Sequence, residues 1–418
     1  MNDKIISFIK LICIFHLIIF LPKIISLSSN DKNGISNKKP KVLLGIQNLT
    51  SNPQKFDWIK KLNVGLVCDK EEKMDLNGNK IIDLLLQQGF NIKKIFIPSK
   101  NKSNSQQPNF ITSYKNTKIP LFVWNSSSSL LSQNNLANLD AIIFDMSDSG
   151  LRHDLCFTTL LKTMQSAAKE NKRVIVLDRP NPLGSCMEGP GSIPFRYGMT
   201  PGELAFYLNR YALNKSINLT VIPMTNWRRN KPFLHLDLPQ IQNLTTSLNT
   251  YYGYSFLSPL NEIKPINTTS NKLDAFQTIL LPEENQLSIW EVDYLKKICS
   301  KLGIFCKNHS FEDYNKKINL KGVKIRIKKD INNFSSFNTF LTLARFLNNR
   351  KNINFSYSQL FDGMLGTQDT REFLQGLISY DDLKNKIDDN LDVFYSKSKN
   401  CFLYKPYPKI NHVEIIKG

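Results

Sequence analysis

The stretch from Asp140 to Glu203 constrains the fold more than any other part of the chain. An apolar run, Ala141 to Phe144, ends on Asp145, and a second, Arg173 to Leu177, ends on Asp178. Between them Leu160, Leu161, Met164, Ala167 and Ala168 recur at helical spacing over Cys156 to Lys169. Apolar strand, helix, apolar strand is the order that a parallel sheet buried on both faces requires. Each strand hands the chain to a carboxylate and then to a polar turn. Ligands of open α/β sheets bind at those carboxyl ends, so the residues after these strands are the first place to seek a site.

The rest of the chain extends the pattern. Apolar runs near residues 64, 94, 141, 173 and 219, with helices between most of them, predict an α/β Rossmann-like, doubly wound parallel sheet over 41–235. No Gly-x-Gly-x-x-Gly turn follows the first strand, which argues against a dinucleotide. Ser99 to Thr117 reads as a long polar loop, and 225–275 as irregular, with Tyr251-Tyr252-Gly253 and Pro259 within it. A smaller α+β auxiliary domain is expected over 236–418. There Ile289 to Leu302 and Phe337 to Leu347 read as helices, and Val323 to Lys328 as a strand.

The formal charge of +20 comes mostly from Lys spread along the sequence, alongside much Asn and Ile. That is a solvated surface rather than a basic stripe, so no nucleic-acid partner is expected. At the N-terminus Lys4 and Lys10 flank an apolar core, Leu11 to Leu21, followed by small polar residues from Ser26. Residues 1–29 thus read as a signal peptide or an uncleaved membrane anchor, and 30–40 as a linker. The body is expected to be exported, periplasmic or extracellular, and either free or membrane-tethered. Its six cysteines and scattered histidines match no metal-ligand spacing, so no metal or cofactor is expected.

Three polar clusters can carry chemistry. Asp145, Asp148 and Arg152 can hold a charged network or grip sugar hydroxyls, or simply start a helix. Asp178, Arg179 and Asn181 sit on a turn stiffened by Pro180 and Pro182. Glu188 and Arg196 precede a helix start in which Thr200 is the N-cap, Pro201 the first residue and Glu203 the capping-box partner.

These clusters resemble the NamZ-type exo-β-N-acetylmuramidases. The resemblance rests on Leu177-Asp178-Arg179-Pro180-Asn181-Pro182-Leu183-Gly184, on Glu188-Gly189-Pro190 and on Tyr197-Gly198-Met199-Thr200-Pro201-Gly202-Glu203. Phe144-Asp145-x-x-Asp148-x-Gly150-x-Arg152 adds to it. It implies removal of terminal N-acetylmuramic acid from peptidoglycan fragments or muropeptides, without a cofactor, and substrate contacts from Arg152, Asp178, Arg179, Asn181 and Arg196. In that family the second strand ends in Pro-Glu-His-Gly, whose glutamate is the catalytic carboxylate. Here the strand ends Pro98-Ser99-Lys100-Asn101. The residues after the central turn also depart, to His153-Asp154-Leu155-Cys156.

Glycosidic cleavage needs a placed proton donor, and Ser99 is no substitute for one. The catalytic residue is therefore unknown, and three readings stand. One is a member with impaired or lost catalysis that binds muropeptides. Another is an active hydrolase using Asp145, Asp148 or Glu188. The remote third is a basic, non-enzymatic binder of anionic polymers or membrane surface. The first two predict that Ser99, Asp145, Asp178 and Glu188 share one cleft.

Overall fold

The first nine strands are β1 (Asn63–Cys68), β2 (Asn91–Pro98), β3 (Asn109–Thr112), β4 (Lys118–Trp124), β5 (Ala141–Asp145), β6 (Arg173–Leu177), β7 (Cys186–Glu188), β8 (Arg196–Tyr197) and β9 (Leu219–Ile222). Seven of them form one sheet in the order β3-β4-β2-β1-β5-β6-β9. All pairs are parallel except β3 with β4. The computed structural model describes residues 42–69, 81–99, 109–112, 118–230, 248–269, 274–313, 318–328, 331–350 and 353–415. The expected export segment and linker, Lys100 and the expected domain boundary at 235/236 lie outside them. Among the described residues no helix is long and apolar enough to cross a membrane.

Alternation along the strands explains why the sheet is covered twice. Val67, Phe144, Val174 and Val176 point to one face and meet Leu160, Met164 and Ala167 of α4 (Leu155–Lys169) and Leu204 and Leu208 of α5 (Pro201–Tyr211), numbered after the three helices of the other face. On that other face Leu66, Ile143, Ile175 and Leu177 meet α1 (Gly45–Ser51), α2 (Pro53–Lys60) and α3 (Ile81–Gln87). The chain leaves β1 toward β2 and β4, then crosses back to β5, β6 and β9. The topological switch point of this doubly wound sheet therefore lies between β1 and β5, where Cys68 pairs with Asp145.

The second half adds α6 (Leu248–Asn261), α7 (Ile289–Lys301) and α8 (Ser336–Asn348). It also has a ribbon of β10 (Ile263–Lys264) with β14 (Ser356–Tyr357), and an antiparallel sheet of β11 (Thr278–Pro282), β13 (Ile318–Ile327) and β12 (Ile304–Asp313). The core on the α4 side continues into this half through Phe256, Leu260, Phe337 and Phe340. β15 (Lys409–Asn411) returns to pair in parallel with β7, which itself pairs with β8.

Two expectations are corrected. The loop expected over Ser99–Thr117 contains β3, which covers the open edge of β4. The irregular reading of Tyr251–Pro259 is wrong: these residues lie in α6. Phe256, Leu257 and Leu260 are buried there, and packing against α8 overrides the weak helix preference of its tyrosines, glycine and proline.

Candidate functional site

The carboxyl edge of the sheet carries an aspartate after each of three adjacent strands: Asp69 after β1, Asp145 at the end of β5 and Asp178 after β6. Asp145 is fully buried and held by the Arg179 guanidinium through Nε to Oδ1 and through Nη2 to Oδ2 at 2.8 Å. Asp69, half-buried, accepts the Ser147 N–H at 3.0 Å. Enclosure pushes its carboxyl up to about 6, against the pull of that bond and of Arg179.

Beyond β5 the chain turns sharply at Asp148-Ser149-Gly150. The Gly150 N–H closes on the Asp148 carboxylate at 3.0 Å with φ +79, and a side chain on Gly150 would strike Asn181. Asp148 is 5% exposed and takes the Tyr197 hydroxyl on both oxygens at 2.6 Å. Burial outweighs these bonds and lifts its carboxyl to about 7. Asp154 is the N-cap of α4 by position, yet its side chain makes no capping bond. It lines a cavity of about 210 Å³ together with Asp148, Ser149, Tyr251, Tyr254 and Phe276. The acids of this cavity come from the sheet edge, and its aromatic residues from α6 and from the turn before β11. Near neutral pH the Asp148 carboxyl is able to give or take a proton, and it shares the cavity with aromatic side chains.

The other expected site residues have different occupations. Asp178 accepts from Thr200 Oγ1 at 2.9 Å, Gly202 N at 2.8 Å and Tyr404 Oη at 2.6 Å, so it ties the start of α5 to the C-terminal segment. Burial first, then Glu203, raises its carboxyl to about 7. Asn181 bridges its own turn, donating to Met199 O and accepting from Leu183 N, both at 2.9 Å. Glu188 binds Arg196 at 2.8 Å, Ser336 N at 2.8 Å and Ser335 Oγ at 2.5 Å. It thereby supplies negative charge to the N-terminus of α8. Arg196, fully buried, donates to the carbonyls of Phe334, Ile331 and Leu183. Arg152 donates to Met364 O at 2.8 Å, and burial lowers it to about 10.

Ser99, Asp145 and Asp178 therefore share the carboxyl edge, whereas Glu188 is turned to α8. This corrects the expectation of one cleft holding all four. Asp178, Asn181 and Arg196 are occupied by the protein itself, against their expected role as substrate contacts. Ser99 is half-buried, donates its N–H to Trp124 O at 2.8 Å, and lies two strands from Asp145. Reading the sequence missed Asp69 and passed over Asp154. The signal for Asp69 was present, since β1, like β5 and β6, is an apolar run that hands over to an aspartate.

Fold and site together define a doubly wound α/β protein with a carboxyl-and-aromatic cavity beside its switch point, the arrangement of a binder of small polar ligands. Comparison with known proteins identifies the family. The profile described as exo-beta-N-acetylmuramidase NamZ, N-terminal, matches residues 64–249, and its C-terminal counterpart matches 300–404. The chain belongs to the NamZ family. It is 28% identical over 244 residues to the peptidoglycan beta-N-acetylmuramidase NamZ of Bacillus subtilis (strain 168), across 54% of this chain and 58% of that one. Two crystal structures of DUF1343 family proteins from Bacteroides fragilis share the fold. One has a TM-score of 0.72 at 22% identity, covering 87% of this chain and 99% of that one. The other has 0.61 at 20% identity, covering 88% and 100%.

Proposed function

We propose that this protein is exported, recognises the N-acetylmuramic acid end of peptidoglycan fragments at the β1/β5 crevice, and hydrolyses the glycosidic bond weakly or not at all. The observation that carries the reading is Ser99. It stands at the end of β2, where resemblance to the family puts a catalytic glutamate, and a serine hydroxyl does not protonate a leaving oxygen near neutral pH. Asp145, two strands away, is paired with Arg179 and is poorly suited to replace it.

A second reading is favoured by Asp148. A carboxyl that keeps its proton to about pH 7 and lines the cavity beside Asp154 is placed to act as a general acid, with the Asp154 carboxyl as the second group of the pair. The two readings separate on a chromogenic N-acetylmuramic acid glycoside. The first expects binding without dye release by the wild-type protein, and measurable release on Ser99→Glu. Dye release by the wild type that disappears on Asp148→Asn would establish the second. Failure of the wild type to bind any muramic acid compound would end both.

A further inference from the structure

Four non-glycine residues among those described have a positive φ: Asn138, Asn171, Asn226 and Phe276. Asparagine tolerates this region because its short amide bonds locally. Phenylalanine does not, and Phe276 at φ +53 is held there by its surroundings. Its backbone presses on α6 at Gly253, where an added Cβ would sit 1.8 Å from the Phe276 carbonyl oxygen. Its N–H donates to Thr269 Oγ1 at 3.3 Å, and the next residue, Gln277, donates through Nε2 to Thr250 Oγ1 at 3.0 Å. Asparagine or glycine would adopt this backbone at less cost, so the turn alone does not account for the ring.

Phe276 lines the same cavity as Asp148 and Asp154. Its edge-to-face partner is Tyr254, with centroids 4.8 Å apart at 74°. Tyr254 in turn meets His153 at 5.4 Å, and His153 stacks on the buried Phe195 at 5.3 Å and 18°. A ladder of rings therefore runs from the cavity into the core and fixes the orientation of the outermost one.

We propose that Phe276 is the stacking platform for one pyranose ring, and that it determines specificity for a saccharide over other small polar ligands. A pyranoside has a face of C–H groups and a rim of hydroxyls. An aromatic face suits the first, and Asp148 and Asp154 accept hydrogen bonds from the second. A cavity of about 210 Å³ suits a single sugar residue at a chain end rather than the interior of a polymer. This deepens the proposed function and rests on it for the identity of the sugar.

The test is calorimetric titration and saturation-transfer NMR with the methyl β-glycoside of N-acetylmuramic acid, repeated with N-acetylglucosamine and chitobiose. Phe276→Asn and Phe276→Gly remove the ring and suit the backbone. They should fold with an unchanged or higher melting temperature and bind the sugar at least tenfold more weakly. Phe276→Tyr should stay within about threefold of wild type, and saturation should reach the C–H face of the ring. Binding of the muramic acid glycoside that is unchanged in both ring-less variants overturns the inference and leaves the proposed function standing. Phe276-dependent binding of a different sugar, with none of the muramic acid compound, sustains the inference and overturns the proposed substrate. If the wild type binds no sugar, both fall.

Discussion

Two clusters of charged side chains, one at the cavity and one in the seam between the halves, behave differently. In the crevice, Asp69, Asp148 and Asp154 line or adjoin a cavity, and two of them have carboxyls raised by burial. In the seam between the halves, Asp178, Glu188, Arg196, Glu203 and Arg229 are consumed by the protein. Arg229 meets Glu203 at 2.5 Å and the Gly198 carbonyl at 2.8 Å, while Glu203 also takes the Leu403 N–H at 2.8 Å. The seam joins α5, α8 and the C-terminal strand to the edge of the sheet. Much of the motif that looks like a binding site in sequence is thus mortar. The acids that line or adjoin the cavity come from shorter and less conspicuous stretches.

The comparison breaks most readily on the seam. Arg196→Ala leaves the buried Glu188 carboxylate and three backbone carbonyls without their partner, and should cost about 3–5 kcal/mol in denaturant unfolding. Any protein that remains folded should bind ligand normally. A loss below about 1 kcal/mol would mean that the seam is not structural.

Tyr404→Phe removes the hydroxyl that reaches both Asp178 and the Met224 N–H at 2.8 Å. It should cost about 1–3 kcal/mol, again with no effect on ligand affinity per folded molecule.

Asp148→Asn probes the crevice and should do the opposite. The amide still accepts the Tyr197 hydroxyl and no charge is buried, so stability at pH 8 should change by less than about 1 kcal/mol. Sugar affinity should fall at least tenfold by titration. A large unfolding penalty with intact binding would move Asp148 into the seam class.

The smallest effect is a pH dependence. Asp148 and Asp178 hold their protons to about pH 7 when folded and Asp69 to about 6, against an ordinary value of 3.8. Between those limits the folded chain binds more protons than the unfolded one. The contribution of these groups is therefore complete below about pH 4 and is lost as pH rises through about 7. Melting temperatures of Asp148→Asn and Asp178→Asn should each vary less than wild type between pH 5 and 8. A slope unchanged in both variants would place the raised carboxyls elsewhere.

Local signals made much of this legible before any coordinates. The strands at Ala141–Asp145 and Arg173–Leu177, the helix between them and the Thr200–Glu203 capping box depend on neighbours in sequence, and their residues sit as expected. The helix at Leu248–Asn261 was illegible because its stability comes from distant partners on α8 and the sheet core. Among the site residues, Asp145 and Asp148 were visible as acids at a strand end. The cavity's aromatic residues were not, because Tyr254 and Phe276 lie more than a hundred residues away from them.

The sequence alone determined the doubly wound sheet and the edge at which its polar turns gather, because apolar periodicity dictates which strands are buried on both faces and where each must end. Only the tertiary structure decided which charges are mortar and which line the cavity. That depends on which segments pack against each carboxylate and whether a cavity opens beside it, and the order of those segments along the chain does not reveal their distance in space.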